Sequence, residues 1–568
     1  MAATEGQLRY TAPMRKPIWM STLLAAALAA SMPAGATDKD ELVIGMTQYP
    51  STLNPNIDPM LAKTLVLDMA RRPFTAYDVQ WQMICMLCVT LPTIENGLAV
   101  LEDLPDGKQG IAVTYAIQPK AIWGDGTPVS TKDVQFTWEV GRHPQSGVGA
   151  AEFYRRAYKL DIKDAKSFTF HFDKVTYDYN GLGDFNVLPA HLEAAAFAAE
   201  PVEYRHRTRY DTDSTNPGLY FGPYRVVEVK AGSHIVLEPN PTWYGDKPFF
   251  KRIVFRAIEN SVALEANLLS GAIDYITGEL GLTLDQGLAF EQRHGQKYDV
   301  IYKPGLIYEH IDMNLDNPML KDGGVRRALL MALDRQSISD KLFGGKQPVA
   351  ATFVSPLDWV FDDALKTVAF DPEGAGRLFD EAGWKRGPGG MRQNAEGQKL
   401  SFELMTTAGN RSRETVQQVL QAQWKQAGVD IRIRNEPPRV LFGETVTKRK
   451  FTGMAMYAWV SAPEHLPRTT LHSEEIPTQA NNWSGQNAGG YASKRMDELI
   501  EATEVELDRA KRKALWKDMQ ELYLADLPVL PLYFRADVFV LPKWLKGVTP
   551  TGHLNPAPLW VEYWRRVE

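Results

Sequence analysis

The sequence is poor in cysteine, with two in 568 residues. They are Cys85 and Cys88, and no second pair or nearby histidine completes a zinc site with them. We therefore favour a structural role over thioredoxin-like chemistry. Two structural interpretations stay open: a local disulfide formed in an oxidising compartment, or two packed thiols in an apolar segment.

Neither sign of charge is in large excess. Lys and Arg number 63 and Asp and Glu number 69, which gives a formal net charge of −6. Such a mild acidic balance argues against nucleic acid or an anionic lipid surface as a partner. The length exceeds that of a single core, and about two to four domains are expected at ~150 residues each.

The motifs of several enzyme classes are missing. The chain has no G-x-x-x-x-G-K-[ST] loop, no H-E-x-x-H and no G-x-S-x-G. The ten histidines are scattered, and His465 and His472, seven positions apart, lack a third ligand at a sensible spacing. We therefore expect neither an enzyme nor a resident metal or cofactor.

No apolar run near the start is long enough to span a bilayer. A basic Met14-Arg15-Lys16 precedes a short apolar run at residues 19–30, and Ala34-Gly35-Ala36 offers a cleavage site. Residues 1–36 are thus expected to be a secretory signal peptide, with the true start at Met14. Because no cysteine lies near the cleavage point, the mature protein is expected to be a free periplasmic protein and not a lipoprotein.

Strand and helix patterns along the chain indicate an α/β protein. Strands are predicted at residues 41–45, 111–117, 167–172, 233–238 and 307–315. Residues 401–405, 413–427 and 429–434 fit a strand, a helix and a strand, a βαβ unit whose strands should be parallel. Asp371 should cap another helix, with Pro372 in its first turn and Gly383 at its end. The glycine-rich stretch at residues 387–390 is expected to be a hairpin tip.

The segment WGDGTP at residues 123–128, followed by STKDVQFTW at 130–138, predicts a strand, a turn and a capped helix. Asp125-Gly126 favours the turn because Gly adopts positive φ readily. Ser130 or Thr131 can cap the helix, and Asp133 in its first turn meets the positive end of the helix dipole.

This segment resembles the signature of the family 5 extracellular solute-binding proteins, the dipeptide and oligopeptide receptors of ABC importers. Further landmarks follow in the family's order: a strand with an LNP loop at 42–55, LPAH at 188–191, GPY at 222–224, NPTWY at 240–244, VRRAL at 325–329, LDR at 333–335, a helix from DP at 371–372 to GW at 383–384, and LPVLPLY at 527–533.

The resemblance implies the α/β fold of a two-lobed periplasmic binding protein, type II, of the peptide-binding cluster. Lobe one should contain residues 37–305 and 532–568, with an accessory subdomain at about 74–185, and lobe two residues 306–531. It also implies a monomeric receptor that closes on a di- or oligopeptide and docks on ABC permease subunits of the inner membrane, with no cofactor and no chemistry on the ligand.

The segment MAMYAWVSAPE at residues 454–464 is the strongest candidate for the ligand site. A strand ending in Trp459 delivers aromatic surface and then Ser461 and Glu464 to a loop at its carboxyl end, where α/β sheets place ligands. For residues 454–458 a core strand is an equally good interpretation. Peptide receptors of the family usually have an aspartate soon after the tryptophan that pairs with the peptide's α-ammonium group, but Ala462 stands there. Either Glu464 takes over that contact or the ligand has no free amine.

Other candidate ligand residues are Tyr49, Asn410, Arg411, Asn482 and Trp483. Arg411 could pair with a ligand carboxylate, although a solvated arginine at a helix start is the competing interpretation. Trp483 lies in a polar, Gly-containing loop, an unusual position for a purely structural tryptophan.

Three rival functions remain open. A receptor of the same fold could bind a non-peptide solute, such as an oligosaccharide, an opine-like conjugate or a chelated metal. A secreted hydrolase would belong to another class, as would a periplasmic chaperone-like or sensory protein.

Overall fold

The computed structural model describes residues 40–149, 151–481 and 483–567, so the expected signal peptide and Asn482 lie outside the described residues. The strands of the first half of the chain are β1 (Glu41–Met46), β2 (Thr75–Tyr77), β3 (Met83–Cys85), β4 (Ala99–Asp103), β5 (Gln109–Ala116), β6 (Ala157–Ile162), β7 (Ser167–Phe172), β8 (Tyr224–Lys230), β9 (His234–Pro239) and β10 (Arg252–Ala257). Those of the second half are β11 (Tyr275–Ile276), β12 (Tyr298–Met313), β13 (Lys385–Arg386), β14 (Arg392–Gln393), β15 (Ser401–Met405), β16 (Asp430–Ile433), β17 (Met454–Val460), β18 (Val529–Pro542), β19 (Leu545–Lys546) and β20 (Arg565–Arg566).

Helices occur between most of these strands. In the first half they are α1 (Leu61–Ala70), α2 (Thr131–Arg142), α3 (Ala151–Arg156), α4 (Ala190–Ala199), α5 (Tyr204–Arg207), α6 (Arg209–Thr212), α7 (Ser261–Leu269) and α8 (Leu284–His294). In the second half they are α9 (Pro318–Lys321), α10 (Gly323–Met331), α11 (Arg335–Phe343), α12 (Pro372–Glu381), α13 (Arg411–Ala427), α14 (Pro438–Val440), α15 (Arg468–Leu471), α16 (Lys494–Val505) and α17 (Arg509–Asp526). Within the described ranges, no helix has both the length and the apolar character needed to cross a membrane.

Ten strands form one continuous sheet in the order β16-β15-β17-β12-β18-β11-β1-β10-β9-β8. The long strands β12 and β18, of 16 and 14 residues, pair antiparallel near its middle. Their register is interrupted between Pro304 and Tyr308. Before the interruption β12 pairs with residues 536–542 of β18, and after it with residues 529–534. β12 and β18 thus connect the two halves of the sheet, and the hydrogen-bond ladder between them is interrupted at the point where the halves meet.

Most of the strands and helices predicted from local sequence patterns lie within two residues of their observed bounds. The strands at 167–172 and 401–405 are confirmed as β7 and β15. The helix after Asp371 is confirmed as α12, and the Asp371 side chain accepts a hydrogen bond from the Gly374 N–H at 2.8 Å. β15 and β16 are parallel, as expected of a βαβ unit through α13. The prediction for β12 was wrong at its start, because the strand begins at Tyr298 and not at residue 307.

Buried side chains form several cores along the sheet. One packs α1 against β1, β8, β9 and β10, and includes Leu42, Ile44, Val66, Ile253 and Trp564. Another surrounds the second half of β12, and includes Ile311, Leu329, Phe379, Leu420 and Trp424. A third belongs to the separate sheet β4-β5-β7-β6, and includes Ile111, Tyr115, Trp123, Phe168 and Phe170. The division of these cores does not fix the residues at which one lobe ends and the other begins, so the lobe boundaries stay a prediction.

The segment at residues 123–138 forms a turn and a capped helix. Gly126 has φ +91°, and the Ser130 N–H donates to the Asp133 carboxylate at 2.8 Å. The same carboxylate accepts the indole N–H of Trp123 at 3.3 Å. Trp123 is fully buried and lies edge-on to Phe221, with ring centroids 4.8 Å apart. Trp123, Val129 and Val134 of this segment lie in the core of the four-stranded sheet. The segment therefore has a structural role.

Cys85 and Cys88 form a disulfide, which decides between the two structural interpretations of the pair. Because the closed loop is short, the chain-entropy model gives the bond only about 2 kcal/mol of stability. We expect the Cys85→Ala/Cys88→Ala variant to lose about that much free energy of unfolding in urea titrations. A reductant should lower the stability of the wild type by the same amount and leave the variant unchanged. Equal stability of oxidised wild type and variant would contradict this role.

Candidate ligand-binding cleft

Two cavities of similar size meet at the carboxyl end of β17. The Trp459 cavity has a volume of about 790 Å³ and is lined by β12, β17, the start of β18 and residues 461–491. The Asp537 cavity has a volume of about 710 Å³ and is lined by residues 277–279, the register break of β12, β18 and residues 551–557. Val460 lines both cavities and is 64% exposed. Together they form one cleft that passes the end of β17.

Five Phe, Tyr and Trp rings contribute to the wall of the Trp459 cavity. The lining rings are those of Tyr308, Phe353, Trp459, Tyr491 and Tyr523. Trp459 lies opposite Tyr308 in the ladder of β17 and β12, which fixes its position beside the cavity. The hydroxyls of Tyr308 and Tyr523 are hydrogen-bonded to each other at 2.8 Å. The wall therefore combines apolar ring surface with polar side chains, among them His310, Asp312, Gln486 and Asn487, as is usual in ligand pockets.

Charged side chains of β18 reach the Asp537 cavity. Arg535, Asp537 and Phe539 line it, because alternate residues of a strand face the same side. Glu309 is fully buried and accepts hydrogen bonds from both Arg535 and Arg413, with the Arg413 Nη2 at 3.0 Å. The Asp537 cavity thus has acidic and basic side chains in its wall, whereas the Trp459 cavity combines aromatic rings with mostly uncharged polar groups.

The structure brings two of the predicted site residues into the cleft. Trp459 and Ser461 both line the Trp459 cavity. Trp459 is half-buried and lies edge-on to Tyr457, with ring centroids 5.6 Å apart and an interplanar angle of 80°. The Ser461 N–H donates to the Leu306 carbonyl at 3.2 Å, which holds the loop after β17 against the register break of β12.

Glu464, the predicted ammonium partner, already has protein partners. Its carboxylate is ion-paired with Arg512 and accepts the indole N–H of Trp359 at 3.0 Å. Its backbone N–H donates to the Asp358 carboxylate, and its carbonyl accepts the Tyr177 hydroxyl at 2.6 Å. Burial raises the pKa of Glu464 above its usual value of 4.5. A ligand amine would have to displace Arg512 to use this carboxylate.

The remaining predicted residues that the structure describes do not line either cavity. Asn410 caps α13 by accepting from the Arg413 N–H at 3.1 Å, and Arg411 is exposed in the first turn of that helix. Tyr49 is half-buried against the core around α1. Trp483 has φ +59°, and its N–H donates to the Thr478 carbonyl at 2.7 Å. Their ligand roles stay predictions, as does that of Asn482.

Sequence reasoning missed the residues of β18 and of the loop after β11. A signal was present: Arg535 and Asp537 occupy alternate positions in an otherwise apolar strand, which is typical of side chains facing a polar cavity. Glu279 lies in the loop after the two-residue strand β11, and the sequence around it shows no such alternation. Among the residues that the structure describes, no group of three or more His, Cys, Asp or Glu is placed to hold a metal ion.

The family model of the bacterial extracellular solute-binding proteins, family 5, matches residues 99–473, more than half of the chain. The chain belongs to this family. Its α/β, two-lobed binding-protein fold, expected from the sequence landmarks, is thereby confirmed.

Two relatives and one solved structure of the same fold illustrate what this family 5 protein is similar to. The oligopeptide-binding protein AppA of Bacillus subtilis (strain 168) is 24% identical over 488 residues, which cover 83% of this chain and 84% of that protein. An oligopeptide-binding protein from Thermus thermophilus, solved with a pentapeptide, is 30% identical with a TM-score of 0.65, and the match covers 92% and 96% of the two chains. NikZ from Campylobacter jejuni, solved with Ni(L-His), has a TM-score of 0.67 over 93% and 100% of the chains, but at 22% identity it shows a shared fold alone.

Proposed function

We propose that this family 5 protein captures di- or oligopeptides in the periplasm and delivers them to the permease of an ABC importer. Relatives named as oligopeptide-binding proteins, one of them solved with a pentapeptide, support the peptide as ligand. The protein performs no chemistry on what it binds, in keeping with a family of solute-binding proteins.

One observation carries the choice of a peptide: the end of β17 is an open strand edge inside the cleft. β17 pairs with β15 only at Met454 and Ala455, whereas its pairing with β12 continues to Val460. Among the described strands, residues 458–460 therefore have a neighbour on one side only. A peptide backbone can pair with such an edge, while its side chains enter the flanking cavities.

The lobes would close around the register break of β12 and β18. The break lies at residues 305–307, which line the Asp537 cavity, and among the described strands β12 and β18 are the two that run through both halves of the large sheet. A ligand that contacts both lobes favours the closed form by its higher affinity for that form. The closed form would then be the one recognised by the permease.

The experiment that tests this function is native mass spectrometry of the protein purified from a periplasmic extract, followed by thermal melting with peptides of two to nine residues. We expect a ladder of co-purified peptide masses and a melting temperature that rises with peptide concentration, because a ligand bound by the native state alone stabilises it. A single sugar or metal-complex mass, with no response to peptides, would overturn the peptide assignment. Turnover of the captured ligand would overturn the receptor itself.

A further inference from the structure

The Asp537 cavity contains acceptors that no protein donor uses. Asp537 is half-buried, lines the cavity and makes no hydrogen bond or ion pair with its side chain among the described residues. Thr277 is 2% exposed and lines the same cavity, and its hydroxyl has no hydrogen-bond partner among those residues. Glu279, two positions further on, is exposed at the cavity and also unpaired within the described part of the chain. A buried hydroxyl such as that of Thr277 normally has a hydrogen-bond partner, so its missing partner is to be sought in a ligand.

Among the described residues, no cation forms an ion pair with these acids. Arg535 lines the same cavity and its charge lowers the pKa of Asp537, but its ion pair is with Glu309. Lys303 lies opposite Asp537 in the β12–β18 ladder but forms no ion pair with it. The Nε2 of His553 donates to the Asp78 carbonyl at 2.7 Å, and burial lowers the pKa of His553 to about 4, so this ring is neutral. Among the described residues, Asp537 and Glu279 therefore have no cation in direct contact.

Resting on the proposed function, we infer that Asp537, Thr277 and Glu279 bind the α-ammonium group of the captured peptide. An ammonium group has three N–H donors, and these residues offer two carboxylates and a hydroxyl as acceptors. In peptide receptors of the family an aspartate makes this contact with the ammonium group, but Ala462 stands at that position. Glu464 is ion-paired with Arg512, so Asp537 and Glu279 would supply the carboxylates instead. Val460 borders this cavity and the Trp459 cavity, so a peptide anchored by its amino end at Asp537 can continue along the edge of β17.

The state of Asp537 before a ligand arrives agrees with this assignment. Burial, with a further contribution from the charge of Glu279, raises the pKa of Asp537 to about 7, although the charge of Arg535 opposes this shift. Ionisation of the Asp537 carboxyl is therefore unfavourable in the unliganded protein. An incoming ammonium stabilises the ionised form, as an opposite charge does within ~4–6 Å.

The test compares free and N-acetylated alanine peptides of three to five residues by isothermal titration calorimetry. Wild type is expected to bind the free peptides at least about tenfold more tightly, as a buried charge-assisted contact would give. Asp537→Asn should bring this ratio close to one, and Thr277→Val should reduce it several-fold. The matched control is Asp103→Asn, which removes the same charge from an exposed strand outside the cleft and should leave the ratio unchanged.

The unliganded Asp537→Asn protein should melt no lower than the wild type, because the substitution removes an unpaired, half-buried acid. If wild type binds peptides but Asp537→Asn keeps the preference for the free amine, the assignment is wrong and the proposed function stands. If no peptide of either kind binds to wild type, the proposed function fails and this assignment fails with it.

Discussion

Arg512→Met is expected to lower the free energy of unfolding by about 3–5 kcal/mol, the usual loss when one partner of a buried ion pair is removed. Arg512 is 8% exposed and pairs with Glu464, whose side chain is 12% exposed. Its guanidinium also donates to the Glu506 carbonyl at 2.9 Å. Methionine fills similar volume but leaves the Glu464 carboxylate without its counter-charge. The loss should appear as a lower urea midpoint.

The pH dependence of that loss identifies its cause. Burial raises the pKa of Glu464 already in the wild type, and loss of the Arg512 charge should raise it further. An acid whose pKa is raised by folding destabilises the native state most when it is ionised, at high pH. The deficit of Arg512→Met should therefore shrink as the pH falls toward the pKa of Glu464. A deficit independent of pH would point to lost packing instead.

Two further variants complete this test. Arg512→Met/Glu464→Gln should recover much of the lost stability, because no unpaired charge is left behind. Lys517→Met on the same helix is the matched control, since Lys517 pairs with Glu521 at 3.7 Å on an exposed surface. Exposed pairs contribute about 0–1 kcal/mol, so this variant should differ little from the wild type. An equal effect of both substitutions would contradict the role of the buried pair.

The different outcomes for Trp459 and Glu464 show what a sequence pattern can predict. The strand ending at Trp459 follows from its apolar residues and turn, which are local, and the structure places its end in a cleft. The partner of Glu464 lies 48 positions away on α17, at a distance no periodicity encodes. An acid near the expected aspartate therefore suggested a ligand contact, whereas tertiary packing supplied an arginine.

Long-range pairing also explains why the prediction for β12, at the centre of the sheet, was less accurate than those for β7, α12 and β15. β7, α12 and β15 are marked by their own periodicity, caps and breakers, so local patterns located them. The first half of β12 contains Lys303, Pro304 and Gly305, which disfavour a strand in isolation. It is a strand because β18, far away along the chain, pairs with it. The Asp537 cavity depends on this pairing, and so its residues could not be grouped from the sequence.

Trp459→Ala is expected to weaken peptide binding by about 2–4 kcal/mol, the range of a large aromatic residue in a binding pocket. The ring lines the cavity and is half-buried, so it offers surface to a ligand while one edge meets Tyr457. The change in tryptophan fluorescence on ligand addition should disappear with it. Because Trp459 is not part of a fully buried core, the unliganded variant should melt close to the wild type.

Trp483→Ala is the matched control for Trp459→Ala, since it removes the same ring from a position that does not line either cavity. If the cleft geometry alone decides binding, this variant keeps its affinity and its fluorescence response. An equal loss in both variants would restore Trp483 to the site predicted from the sequence. Unfolding of Trp459→Ala would instead place that ring in the core, because a ring needed only for ligand contact contributes little to the stability of the empty protein.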